Sequence, residues 1–156
     1  MQKRTKMNAS LNNTRKLVCQ MRLLEEELQG ANCRVIMRWR RRMVELPDEP
    51  ARVSLNPMER TLYRLFLAHP EGIMADNLLL HWKELGNIYA KESCFDDPDV
   101  REERLASLCG ESKKVFYSTV SRIKKKMIQV TGLWRAGAYI IKNERGVYKV
   151  KATLKE

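Results

Sequence analysis

The last third of the chain limits its possible folds most, because a lysine-rich amphipathic helix runs straight into a basic β-hairpin. Across residues 112–131, Phe116, Val120, Ile123 and Met127 recur at spacings of four, three and four, the period of one buried helix stripe, and Gly132 follows. With successive side chains about 100° apart, the opposite side carries Lys114, Ser118, Ser121, Arg122 and Lys125. That face is cationic and hydroxyl-bearing and contains no acid. Farther on, residues 139–150 read as two short strands around Asn143-Glu-Arg-Gly146, with Gly146 suited to the left-handed position of a type I turn with a bulge.

Charge is distributed unevenly. The chain carries a formal net charge of +11 and a pI of about 9.7, which points to polyanions as partners. Residues 1–46 hold 11 Lys/Arg against 4 Glu, and residues 111–156 hold 12 basic against 3 acidic side chains. Between them, residues 47–110 hold 7 basic against 12 acidic. Solubility requires no such separation, and a basic end beside an acidic middle is the distribution of a phosphate-contacting surface.

Other classes find little support. No apolar run approaches the ~18 residues that span a bilayer, and no apolar core follows the basic stretch from Met1 to Lys6 as in a signal peptide. Cys19, Cys33, Cys94 and Cys109 form no Cys-x-x-Cys pair and read as reduced thiols of a cytoplasmic protein. With His69 and His81 as the two histidines, no metal site is expected. Asp96, Asp97 and Asp99 are explained by capping and the helix dipole. No nucleophile–base pairing or glycine-rich phosphate loop is present, so binding without a cofactor is expected in place of catalysis.

From the start, residues 1–10 read as a polar, basic arm. Leu17, Met21, Leu24 and Leu28 place a helix between Leu11 and Leu28, a seam of barely two heptads that supports a monomer or a weak dimer. A second helix is expected from about Cys33 to Leu46, with Ile36, Trp39, Met43 and Leu46 on one side and Arg38, Arg40, Arg41 and Arg42 around the remainder. Pro47-Asp-Glu-Pro50 then breaks it. The expected organisation is a basic helical segment over 1–46, a linker over 47–51 and a compact domain over 52–156.

Within that domain, Arg52 to Leu55 reads as a short strand. Asn56 is an N-cap, Pro57 stands at the first helical position, and Glu59 completes a capping box. The helix buries Leu62, Leu65 and Phe66 and stops at His69-Pro-Glu-Gly72, where His69 reads as a helix-terminal histidine at the negative end of the dipole. A second helix opens after Asp76 and buries Leu78, Trp82, Leu85 and Tyr89. Residues 98–109 read as a short charged helix with Val100, Leu105 and Leu108 inward.

Three stretches carry a family resemblance. Leu55-Asn-Pro-Met-Glu59, continuing to His69-Pro70, resembles the first helix of OmpR/PhoB-type winged-helix effector domains, which begin with Leu-Thr-Pro-x-Glu and close on a similar turn. Val120-Ser-Arg-Ile-Lys-Lys-Lys-Met127 resembles that family's recognition helix, Ile-Ser-Arg-Leu-Arg-Arg-Lys-Leu. Arg145-Gly-Val-Tyr148 resembles its wing, Arg-Gly-Val-Gly-Tyr, shortened by one glycine. The resemblance covers about residues 52–152 with the motifs in order. It implies a helix near 113–131 in the major groove and a hairpin near 138–151 against a minor groove or phosphates. Leu78 and Trp82 match the family's second-helix positions only approximately, and residues 84–111 are longer than its pattern. The ~50 residues ahead of the domain leave no space for a receiver domain of usual size, so phosphorylation control is not implied.

The expected fold is therefore mainly α with a small β-hairpin, a winged helix-turn-helix preceded by N-terminal helices. The expected function is sequence-specific binding of double-stranded DNA by a bacterial transcriptional regulator, cytoplasmic and nucleoid-associated. Lys113, Lys114, Lys124 and Lys125 would neutralise phosphates. Tyr117, Ser118, Ser121 and Arg122 would reach base edges, and Lys142, Asn143, Arg145 and Lys149 would make the wing contacts. A winged-helix protein–protein adaptor, docking a partner protein through the N-terminal helices, and an RNA-binding module are the competing readings.

Overall fold

The computed structural model describes residues 12–22, 33–94 and 97–155. Helix α1 covers residues 12–22 on the surface, with Leu17 and Met21 exposed and Arg22 lying 4.5 Å from the centre of the Trp134 ring. It falls where the leucine seam places a helix; Leu24 and Leu28, like the arm over residues 1–10, lie outside the described residues.

The stretch expected as a second helix consists instead of two strands, β1 (Arg34–Ile36) and β2 (Met43–Leu46). They are antiparallel, with Ile36 opposite Glu45. The residues that go inside are Val35, Met37, Val44 and Leu46, an alternation of period two. Arg38, Arg40, Arg41 and Arg42 lie in the exposed connection between the strands, which Arg40 turns with a φ of 58°. The linker expected over residues 47–51 is instead the turn over 47–50 that joins β2 to β3 (Ala51–Ser54), paired from Met43↔Ser54 to Leu46↔Ala51. The last strand, β7 (Thr153–Lys155), runs parallel to β1 and completes a four-stranded sheet in the order β3-β2-β1-β7.

Helix α2 (Pro57–Ala68) follows β3 with the anticipated cap. The Asn56 side chain accepts from the Glu59 amide at 2.8 Å, and the Asn56 amide donates to the Glu59 carboxylate at 3.0 Å. Every residue from Glu59 to Phe66 is buried, so α2 is the central helix and not an amphipathic surface one. After the turn at Gly72 come β4 (Ile73–Met74), a 3-10 segment (Ala75–His81) and α3 (Trp82–Glu92). The α-helix thus opens at Trp82, later than the sequence pattern implied. Trp82 itself is half-buried, while Leu78, Leu85 and Tyr89 are buried as expected. Helix α4 (Pro98–Leu108) is the short charged helix, capped by Asp97, whose side chain accepts from the Asp99 amide at 2.9 Å.

Helix α5 (Lys114–Thr131) leads through a second 3-10 turn (Ala136–Ala138) to β5 (Lys142–Glu144) and β6 (Val147–Lys149). This hairpin is not isolated. Strand β4 pairs with β6, Ile73 opposite Tyr148, and makes a three-stranded sheet in the order β4-β6-β5. Among the described residues, two sheets built from seven strands around the helices make the fold mixed α/β, which corrects the expectation of a mainly α protein with one small hairpin preceded by helices. Both surplus pairings, β1 with β7 and β4 with β6, join segments far apart in the chain, which local periodicity does not report.

The interior is held by a buried ionic cluster. Glu92, the last residue of α3, is fully buried and accepts from Arg60 Nε at 2.6 Å and from Arg64 Nε at 2.8 Å. Three further guanidinium hydrogens reach the backbone carbonyls of Leu55, Glu92 and Met37. Trp39 covers the outer side, its ring centre 3.7 Å from the Arg64 guanidinium carbon. Among the described residues no buried side-chain polar atom lacks a partner. Removing the shared anion would leave two buried cations facing each other. Glu92→Ala is expected to cost about 3–5 kcal/mol, and Arg34→Ala, which breaks the solvent-screened 3.0 Å pair with Asp48, far less. Urea unfolding of both variants checks the order.

Candidate nucleic-acid interface

Helix α5 has no internal glycine or proline, and its buried side consists of Phe116, Thr119, Val120, Ile123 and Met127. That stripe fixes which way the helix faces. Lys126 fixes it further, because it reaches inward to the fully buried Glu59 carboxylate, the residue that also closes the α2 capping box. One lysine of the Lys124-Lys-Lys126 run is therefore spent on the interior.

The outward side is what remains. Lys114, Tyr117, Ser118, Ser121, Arg122, Lys124 and Lys125 are all exposed. Among the described residues, none of the four cations in that set has a carboxylate partner within ion-pair distance. Arg122 donates to the Thr119 hydroxyl at 3.3 Å, and the Ser118 hydroxyl donates back to the Val115 carbonyl at 3.2 Å. With 18 residues the helix is about 27 Å long, and its width suits a major groove.

Lys113 is placed differently from its neighbours. It is the N-cap of α5, in a left-handed conformation with φ 56°, and its half-buried side chain lies 3.9 Å from Asp76. The helix begins with no side-chain cap and no acid in its first turn, while Lys114 stands at its first position. Cations at the positive end of a helix dipole are locally unfavourable.

The hairpin is joined to this end of α5 by aromatic contacts. Tyr148 of β6 meets Phe116 edge-on, with ring centres 5.1 Å apart and planes at 87°, and its ring centre is 6.4 Å from that of Tyr117. Burial, followed by the neighbouring Tyr117, pushes the Tyr148 hydroxyl pKa up. Across the strands Asn143 faces Tyr148 and donates to its hydroxyl at 3.4 Å. Helix and hairpin thus present one connected surface. Sequence reasoning assigned no role to Tyr148; the signal was an aromatic at an alternating position between two hairpin cations.

At the hairpin tip, Glu144 pairs with Val147, so the loop is the two residues Arg145 and Gly146, both with positive φ, 54° and 88°. This tight primed-type turn replaces the expected type I turn with a bulge. The Asn143 side chain accepts from the Gly146 amide at 2.8 Å, which commits it to building the turn. Lys142 stands opposite Lys149, and Lys149 pairs with Glu144 at 2.7 Å, holding that carboxyl below its usual range. Arg145 is exposed at the apex, and among the described residues it has no side-chain partner. Gly72 sets how closely β4 approaches: a Cβ there, at φ 93°, would stand 2.4 Å from Val147 Cγ1 and 2.9 Å from the Tyr148 carbonyl.

The left-handed conformation costs a residue other than glycine, asparagine or aspartate about 1–2 kcal/mol. Arg145→Asn is therefore expected to raise stability by up to about 1 kcal/mol in chemical unfolding, and Gly146→Val to lower it. Comparison with protein-family models, with curated proteins and with solved structures gives no match to this chain, so the functional reading rests on its residues and geometry.

Proposed function

We propose that the protein binds double-stranded DNA in a sequence-specific manner as a transcriptional regulator of the OmpR/PhoB type, by binding and not by catalysis. The observation that carries this reading is the outer face of α5: exposed, rich in cations and hydroxyls, free of acids and joined through Tyr117 and Tyr148 to a hairpin with arginine at its tip. On this reading α5 lies in the major groove, where Lys114, Lys124 and Lys125 neutralise phosphates and Ser118, Ser121 and Arg122 face base edges. Arg145 reaches along the backbone from the hairpin. The bare N-terminus of α5 offers its amides to a further phosphate. Lys113, Asn143 and Lys149 contribute less, since Asp76, the turn and Glu144 already engage them.

Lys114→Glu with Lys125→Glu is expected to weaken binding to random duplex DNA strongly at low salt. Removing two phosphate contacts should flatten the slope of log affinity against log salt by about 1.8, at about 0.9 per contact. Lys126→Met provides the contrast: it should lower stability through Glu59 and leave the salt slope unchanged. Arg122→Ala should flatten preference at one base position by about 1–3 kcal/mol in a selected-site assay. Unchanged duplex affinity in a folded Lys114/Lys125 reversal sinks the proposal for this helix. Preference for single-stranded RNA as competitor would reassign the surface to RNA.

A further inference from the structure

We propose that His69, His81 and Glu84 form a binding site for a divalent transition-metal ion of the zinc class. The three residues come from three pieces of chain. His69 ends α2, His81 ends the 3-10 segment, and Glu84 lies in the first turn of α3. One ligand atom from each falls within 4.8 Å of the others. His69 Nε2 is 2.8 Å and His81 Nδ1 is 3.5 Å from the same Glu84 oxygen, and the two imidazoles meet edge-on with centres 4.6 Å apart. Ligands at Zn–N distances of ~2.0–2.1 Å in a tetrahedron stand about 3.3 Å from one another, so small side-chain rotations suffice to close around an ion.

The surrounding contacts match what a ligating histidine requires. His69 Nδ1 faces Glu71 Oε1 at 3.0 Å, so a carboxylate holds the outward nitrogen while Nε2 points into the cluster. This carboxylate–histidine–metal order fixes the tautomer and raises ligand basicity. All three ligands are part-buried, which leaves the ion accessible from solvent. Two imidazoles and one carboxylate select zinc, cobalt or nickel over calcium and magnesium, and three protein ligands leave a position for water. Both imidazoles converge on one Glu84 oxygen, an arrangement that a shared cation would hold together.

A bound ion would tie the end of α2 to the start of α3 across the turn that leads into β4, the strand on which the hairpin is built. The test uses the full chain, stripped with chelator and titrated with Co²⁺. The expected result is one equivalent bound, with the visible absorption of a low-coordinate nitrogen–oxygen site, no thiolate charge-transfer band, and displacement by Zn²⁺. His81→Asn and Glu84→Gln, both at part-exposed positions, should lower affinity by more than tenfold with unchanged circular dichroism. Glu71→Gln should lower it by about 10–100-fold through the orientation of His69. No saturable uptake, a thiolate band from the cysteines, or unchanged affinity in folded His81→Asn overturns the proposal.

Discussion

The buried Arg60–Glu92–Arg64 cluster is the interaction on which the rest of the architecture depends. Two arginines one turn apart on the central helix share a single carboxylate at the end of α3, and each also donates to a strand-end carbonyl, Arg60 to Leu55 and Arg64 to Met37. Those two carbonyls lie at the ends of β3 and β1, so one anion registers α2, α3 and the four-stranded sheet together. Desolvating three charges is expensive, and an apolar cluster of equal volume could give as much stability. What an apolar cluster lacks is direction. Each guanidinium fits a fixed fork of acceptors, so the relative rotation of helices and sheet is specified and not merely compact.

A second set of interior contacts carries that specification to α5. Glu59 is fixed by the capping box at the head of α2 and takes Lys126 from α5. Tyr63, fully buried, donates to the Tyr139 carbonyl at 2.6 Å and anchors the chain where it leaves α5 for the hairpin. Burial raises the Tyr63 hydroxyl pKa well above its ordinary value, so it remains a donor across the pH range in which proteins fold. The outer face of α5 is therefore set by contacts that involve none of its own exposed residues. Substitution there leaves the frame in place.

The same division explains what was legible in the sequence. The Asn56 cap, the Phe116–Met127 stripe and the hairpin around Gly146 are local patterns, each complete within a few turns or one loop, and they are found where the pattern puts them. The helix expected over Cys33–Leu46 failed because Ile36, Trp39, Met43 and Leu46 fit a helical spacing by coincidence. Of these four only Leu46 is fully buried, whereas Val35, Met37 and Val44 alternate inward. Strand β7 gave no local sign of its partner, since Thr153 bonds to Cys33 across 120 residues. Nothing local in the sequence marks Arg60 and Arg64 as buried; the arrival of Glu92 from another helix is what makes their burial tolerable. The outward lysines and serines of α5 were readable as a face, while the loss of Lys113, Asn143 and Lys149 to internal partners was not.

Strained backbone separates residues whose cost the fold offsets from residues whose cost it leaves standing. Among the described residues, three arginine or lysine residues occupy positive φ: Arg40 at 58°, Lys113 at 56° and Arg145 at 54°. None is the residue such positions favour, and each costs about 1–2 kcal/mol relative to a relaxed backbone. For Arg40 the compensation is internal, since its Nε donates to the Lys91 carbonyl at 3.0 Å and satisfies the end of α3. Lys113 has a weaker internal partner in Asp76 and stands at a helix start whose amides have no side-chain acceptor. Arg145 has no internal compensation among the described residues, although asparagine at that position would suit the turn. Compensation therefore declines from the sheet side of the molecule to the hairpin tip, the order in which a ligand outside the chain would have to supply it. Local rules are broken with a weak internal return where α5 begins and, among the described residues, with none where the hairpin turns, the two ends of the surface that the aromatic contact of Tyr117 and Tyr148 holds together.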